Sequence, residues 1–456
     1  MTTVDLWWLL RRRSTDDRDP RALTTALAVV AFATTTAVLL VVVGGFGAFL
    51  ARAGGVEGVR AGFEGVTPYD AQYPFLAGIA SLLLLVPLVT LGGAAARLAV
   101  ARRDARLASL RLAGATPRQV TTLTVLDAAA QAVVGALAGV AGYGLLLPLV
   151  ARLRFQGRPF EIGELWVGVP AVLGAVALVV VVALVSALAS LRRVAITPLG
   201  VAARVTPPGL RAARLLTTGV AFAALLVATN VSLGSPAVVV TVLTAVLVVG
   251  FATLNVVGPF VLWVVGRITA RRARHVATLL AARRVVDSPR SAWRSVGGVA
   301  LATFVAGLTS IFALLDPGVG ADPAERQYLT DLSTGGFLTL AIAGVLAAVS
   351  TGVMQAGRVV DQRHEYRALV LAGTDLRTLD QARFRETLVP LVASVGVATV
   401  AALMFMAPVI GFGAFTNVAV VAQFLACVAA ASTLVLAGAG ASRFVVRGAL
   451  ATTGTA

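Results

Sequence analysis

The ionisable side chains are few, and the types that are missing limit the chemistry more than those present. All 38 basic residues are Arg, with no Lys anywhere. A phosphate-binding GxxxxGK[ST] loop, a Schiff base to pyridoxal phosphate and a kinase active site each require a Lys. The chain is therefore expected to be no ATPase, no enzyme, and to hold no cofactor of its own. His275 and His364 have no Cys beside them, and Cys427 is the single cysteine, set in an apolar run. Neither a metal centre nor an intrachain disulfide follows. Asp127 and Glu386 each open an apolar run, with Arg118 and Arg383 one or two helical turns away. They are read as interfacial ion-pair partners rather than a proton relay. Asp316, Asp322, Glu325 and Asp331 gather between two other runs and are read as a solvated loop rather than a cation site.

Two short segments repeat a pattern of chemistry-bearing residues. The first runs from Arg106 to Val120 and holds Arg111, Gly114, Ala115, Thr116 and Arg118. The second begins at Glu365 and holds Gly373, Thr374 and Arg377. An offset of 259 residues aligns Leu112-Ala113-Gly114 with Leu371-Ala372-Gly373, Arg118 with Arg377, and Asp127 with Glu386. Each reads as a short amphipathic helix, a turn at the Gly, and the start of the next helix. Pro117 suits a first helical turn. A bent basic element placed twice at equivalent points could act as a lever on the helices that follow.

The elements that must position these segments belong in a bilayer. Hydrophobic residues make up 58% of the 456-residue chain and charged residues 13%, against about 25% charged in soluble domains. Mean hydropathy is +0.90. Charge-free runs long enough to cross the hydrocarbon core lie at about 22–51, 71–96, 128–151, 165–191, 295–315, 332–357 and 387–442, the last of double length with a break near 408–417. The run from Arg214 to Arg267 is also double and breaks at Gly234-Ser235-Pro236, since Gly and Pro form turns. Ten transmembrane helices are expected. With the N-terminus inside, 32 of the 38 Arg fall in inner segments; the outer exceptions are Arg52, Arg60, Arg152, Arg154, Arg158 and Arg326. This bias is the positive-inside pattern, and it argues against nucleic acid as the reason for a net charge of +17. Both termini are expected in the cytoplasm of a bacterial cell whose plasma membrane holds the chain.

The fold class expected is an all-α polytopic membrane protein, arranged 4+2+4 with an internal parallel repeat. Residues 1–21 form an interfacial helix, 22–193 a first four-helix unit, 194–266 a linker with the fifth and sixth spans, 267–442 an interfacial segment and second four-helix unit, and 443–456 a tail. Ser288-Pro289, like Asp19-Pro20, marks a helix start. Gly135, Gly139 and Gly142 give the small-residue spacing of close helix contacts. The pentapeptide Gly-Phe-Gly-Ala-Phe occurs at both 45–49 and 411–415, off the 259 register. The outer loop from Ala51 to Gln72 has no room for a folded domain.

With these residues in view, the chain resembles FtsX-like ABC transporter permeases, the group that includes MacB-type exporters. Arg111, Gly114, Ala115, Thr116, Arg118 and Val120 match the signature in the first copy, and Glu365, Gly373 and Arg377 in the second. Arg106 replaces the signature Glu in the first copy, and Thr374 replaces its Ala in the second. The resemblance implies that these segments couple the spans to a separate P-loop ATPase, in two copies, which alone binds ATP. The large outer domain of ten-span, peptide-sensing members is replaced by the short stretch from Asp316 to Thr334. With no charge at mid-depth, the expected substrate is hydrophobic or amphipathic and the expected direction export, with altered antibiotic resistance on deletion. The rivals are a signalling subunit that transmits ATPase motion without transport, and a proton-coupled secondary transporter.

Overall fold

The computed structural model describes residues 20–63, 71–101, 116–195, 236–310, 322–361, 371, 373, 376–410 and 417–451. The chain is an all-α membrane protein. Among the described residues, seven helices are long and apolar enough to cross a bilayer. They coincide with the expected spans one to four and eight to ten. The expected N-terminal interfacial helix and fifth span lie outside the described residues.

The first group opens with α1 (Pro20–Arg52). A short amphipathic helix, α2 (Gly55–Phe63), then occupies the loop that was expected to hold no folded domain. Next come α3 (Gln72–Ala101) and α4 (Pro117–Val150). A hairpin of β1 (Arg154–Phe155) and β2 (Arg158–Pro159) leads through one turn of helix, α5 (Ile162–Leu165), into α6 (Gly168–Ala195). α1 packs against α3, α4 and α6, and α6 packs in turn on α3 and α4.

The connecting helix α7 (Pro236–Arg271) starts at the expected Gly-Ser-Pro break. It is followed by α8 (Val276–Asp287), whose apolar side buries Ala277, Ala281, Ala282 and Val285. The second group holds α9 (Pro289–Ser310), α10 (Pro323–Asp361), α11 (Leu376–Ile410) and α12 (Val418–Ala451). α9 packs against α10, α11 and α12, and α12 packs on α10. Helices α7 and α9, at the expected sixth and seventh spans, are not among the seven. The expected seventh span continues to residue 315, past the described end of α9 at Ser310; within α9 every residue from Val299 to Gly307 is buried.

The two groups share a packing plan in which the first helix contacts the other three. They also share a spacing, since α4 and α11 start 259 residues apart, at Pro117 and Leu376. Glycine brings the first and third helices together in both. On α4, a Cβ at Gly139 would stand 2.5 Å from the Ala33 carbonyl oxygen and 2.6 Å from Thr36 Cβ of α1. In the second group the glycine sits on the other partner: a Cβ at Gly307 of α9 would meet Ala402 of α11 at 2.5 Å. The groups meet chiefly where α10 lies along α3 and α1. A core of alanines, leucines and phenylalanines, including Phe32, Leu91, Phe304 and Leu346, runs through both.

Candidate functional site

The helices that follow the expected coupling segments, α4 and α11, begin at one end of the groups. Arg111, Gly114, Ala115, Glu365 and Thr374 are outside the described residues. What is described there is the junction with the helices that follow. Thr116 is the N-cap of α4: its hydroxyl accepts from the Gln119 N–H at 3.3 Å, and the Gln119 side-chain oxygen accepts from the Thr116 N–H at 2.9 Å. This reciprocal pair satisfies two backbone donors that a helix start leaves open. Pro117 occupies the first turn, as its lack of an N–H allows. Arg118 lies in that same first turn. Gly373 has φ +87°, the left-handed turn that favours glycine, and Arg377 falls in the first turn of α11. The start of α4 is thus fixed by a cap, and both segments are followed by helices of more than thirty residues.

At this same end α8 braces α11. Arg284 of α8 donates to Glu386 of α11 at 3.1 Å, with both side chains largely shielded. Arg385 donates to the Thr278 hydroxyl. Glu386 is thus ion-paired with Arg284, while the side chain of Arg383 is outside the described residues. Arg383, one turn away, was the choice that sequence distance offered, whereas the fold brings Arg284 from 102 positions earlier. Asp127 lies half-buried on α4.

The opposite end, at the hairpin, holds a second constellation that motif reading did not reveal. Arg52, at the last turn of α1, is almost wholly buried and forms a 2.6 Å ion pair with Glu164 of α5. The same guanidinium donates to the carbonyl oxygens of Phe155 at 3.0 Å and Pro159 at 2.8 Å and lies over the Phe160 ring. Arg158 also reaches Glu164 at 3.3 Å. Phe49 meets Phe155 and Phe160 edge-on and stacks on Tyr73. The Tyr143 hydroxyl donates to the Leu165 carbonyl oxygen at 2.5 Å and so ties α5 to α4.

Asp331 corrects the reading of the acidic stretch. Helix α10 begins at Pro323, so Asp331 sits in its third turn rather than in a loop, and it is 3% exposed. Its carboxylate accepts from the Tyr73 hydroxyl at 2.8 Å, from the Gln156 N–H at 2.6 Å and from the Gln327 amide at 2.9 Å. Three donors compensate for the water it has lost. Two of them belong to the other four-helix group.

Beneath this polar layer a cavity of about 220 Å³ lies between the groups. Its walls come from α1, α3 and α10, including Phe46, Phe49, Leu76, Ser81, Leu338 and Ile342. Phe46 and Phe49 belong to the repeated pentapeptide; its second copy, 411–415, is outside the described residues. The arginines that break the inner bias, Arg52 and Arg158 above all, also mark this end.

Residues 78–199 match the FtsX-like permease C-terminal family. The matched stretch takes in most of α3, the first basic segment, α4, the hairpin and α6. It is a single match, falling on the first group alone. No curated protein and no solved structure matches the chain.

Proposed function

We propose that this chain is the membrane subunit of an ABC transporter of the FtsX-like class, carrying both halves of the permease in ten spans and working with a separate P-loop ATPase in two copies. The observation that carries the reading is the family match over residues 78–199, which encloses the Arg111–Arg118 segment and the capped start of α4. In this reading residues 22–193 and 267–442 are parallel copies of one unit. Their common packing plan and the 259-residue spacing of α4 and α11 support that. Arg111, Gly114, Ala115, Thr116 and Arg118 form one docking segment, and Glu365, Gly373, Thr374 and Arg377 the other. ATPase closure presses on both. The capped helices α4 and α11 transmit the push, with α8 braced against α11 at Arg284–Glu386. Both termini face the ATPase side, and the hairpin end faces outward.

The substrate in this reading is an amphipathic or hydrophobic molecule that is exported. The cavity between the groups is walled mainly by apolar side chains, with Tyr73, Tyr328 and Asp331 at the hairpin end and Ser81 and Thr339 deeper along α3 and α10. A strongly hydrated solute would lose its water there without replacement, at several kcal/mol per unsatisfied group (~2–7 kcal/mol).

The test is co-purification of the full chain from its native membranes, followed by identification of the bound ATPase. A P-loop protein is expected with the wild type. Charge reversal at Arg111 and Arg118, combined with Arg377→Glu, should strip it while leaving the chain in the membrane. Unchanged capture by the triple variant would defeat the docking assignment. Stimulation of the reconstituted pair by a small hydrophilic solute, and by no lipid-like compound, would defeat the substrate assignment.

A further inference from the structure

The contact between the two four-helix groups is mostly apolar, but at the hairpin end it becomes polar and specific. Asp331 belongs to α10 of the second group. The donors it receives across the boundary, Tyr73 of α3 and the Gln156 backbone of the hairpin, belong to the first. Tyr328, one turn earlier on α10, meets Tyr73 edge-on at 5.6 Å. The first-group side of this contact is itself held rigid. Gln156 has φ +57°, an unusual conformation for a residue other than glycine, and it presents its N–H to Asp331 from the hairpin turn. That hairpin is anchored by Arg52 through two carbonyls and Glu164. Both Tyr73 and Asp331 also line the cavity between the groups.

We infer that Tyr73, Asp331 and the Gln156 backbone form a clasp that holds the two groups together at the hairpin end and shuts the cavity to water on that side, with Asp331 as its bolt. A buried carboxylate is costly unless it is hydrogen-bonded. Parting the groups at this end strips two donors from Asp331 together, so the clasp resists small movements and yields in one step. A ligand leaving the cavity toward the hairpin end must pass the place that Asp331 occupies. Tyr73 and Asp331 are thus positioning residues for a gate. The inference goes beyond the transport reading and needs no ATPase, so the two can fail separately.

The test reads the accessibility of the cavity wall in the full chain, in membranes. Ser81 lines the cavity, and Ser81→Cys in a Cys427→Ala background supplies a single thiol. Its labelling rate is measured with a water-soluble, membrane-impermeant maleimide applied to each face in turn. With the clasp intact, labelling should be slow from both faces. Asp331→Asn and Tyr73→Phe should each speed labelling at least fivefold, from the hairpin face alone. A parallel set keeps Ser81 and retains native Cys427, which is buried in the core of the second group. There labelling should stay unchanged in both clasp variants. Equal labelling rates of the Ser81→Cys thiol with and without the clasp would overturn the inference. So would faster labelling of Cys427, since that reports general loosening rather than a gate.

Discussion

Both four-helix groups are centred on their first helix, but they are fastened at opposite ends. In the first, the hairpin, Arg52–Glu164 and Tyr143–Leu165 bind the helices at the hairpin end. In the second, the described polar fastening lies at the other end, where α8 grips α11 through Arg284–Glu386 and Arg385–Thr278. α4 and α6 pack along one another, joined by the hairpin and α5. Similar packing does not make the groups mechanically equivalent. The first is fastened at the hairpin end, and the second at the end where α4 and α11 begin.

The comparison can be broken most severely at the glycine contacts the groups share in inverted form. Gly139→Leu should force α1 and α4 apart, since even a Cβ there lies 2.5 Å from backbone oxygen. Overpacking of this kind costs roughly 3 kcal/mol. The variant should lose its monodisperse peak at a clearly lower temperature in detergent size-exclusion runs. Gly142→Ala, whose added Cβ meets Ala37 at an ordinary 3.5 Å, should behave as wild type. Gly307→Leu should do comparable damage in the second group, and a much milder effect there would show that the two helix pairs do not bear equal load.

Arg52→Ala comes next. It removes the closest partner of Glu164, which keeps Arg158 and the Glu161 N–H, and the Arg52 donor of two carbonyls; removing one partner of a fully buried pair costs about 3–5 kcal/mol. Glu164 retains some contact with water, so a loss of roughly 2–3 kcal/mol is expected. Protease nicking within residues 153–167, followed by mass spectrometry, should increase while α8 stays protected. Thr116→Ala should cost about 1 kcal/mol by removing the N-cap, and Thr116→Ser almost nothing. Amide exchange in the first turn of α4 reads that difference. Glu386→Gln breaks a largely shielded pair and should cost about 1 kcal/mol, since Gln keeps an acceptor for Arg284; Asp127→Asn should be mildest, at roughly 0–1 kcal/mol, with transport unchanged across pH in both. Loss of activity together with its pH dependence in either would favour proton coupling instead.

Much of the helix plan was legible because bilayer thickness, proline and charge bias act locally. Pro117, Ser288-Pro289 and the break before Pro236 each mark a helix start found in the structure. The hairpin-end site was not legible in the same way. Asp331 sits beside Asp322 and Glu325 in the sequence, and nothing local distinguishes a buried carboxylate from solvated neighbours; its donors lie 258 and 175 residues away. Arg284 was hidden from Glu386 for the same reason. The glycine contacts expose a subtler limit. The offset that aligns the basic segments does not align Gly139 with Gly307, because close approach needs a small residue on only one of two facing helices. Evolution can swap the side that supplies it without altering the geometry.

Helix α9 has a consequence for how the protein is made. Every residue from Val299 to Gly307 is buried, and the helices that cover it, α10, α11 and α12, are all synthesised after it. The central helix of the second group is therefore the first of the four to be made and the last to be covered, and truncation anywhere within α10 to α12 should leave part of its surface without the partners that bury it.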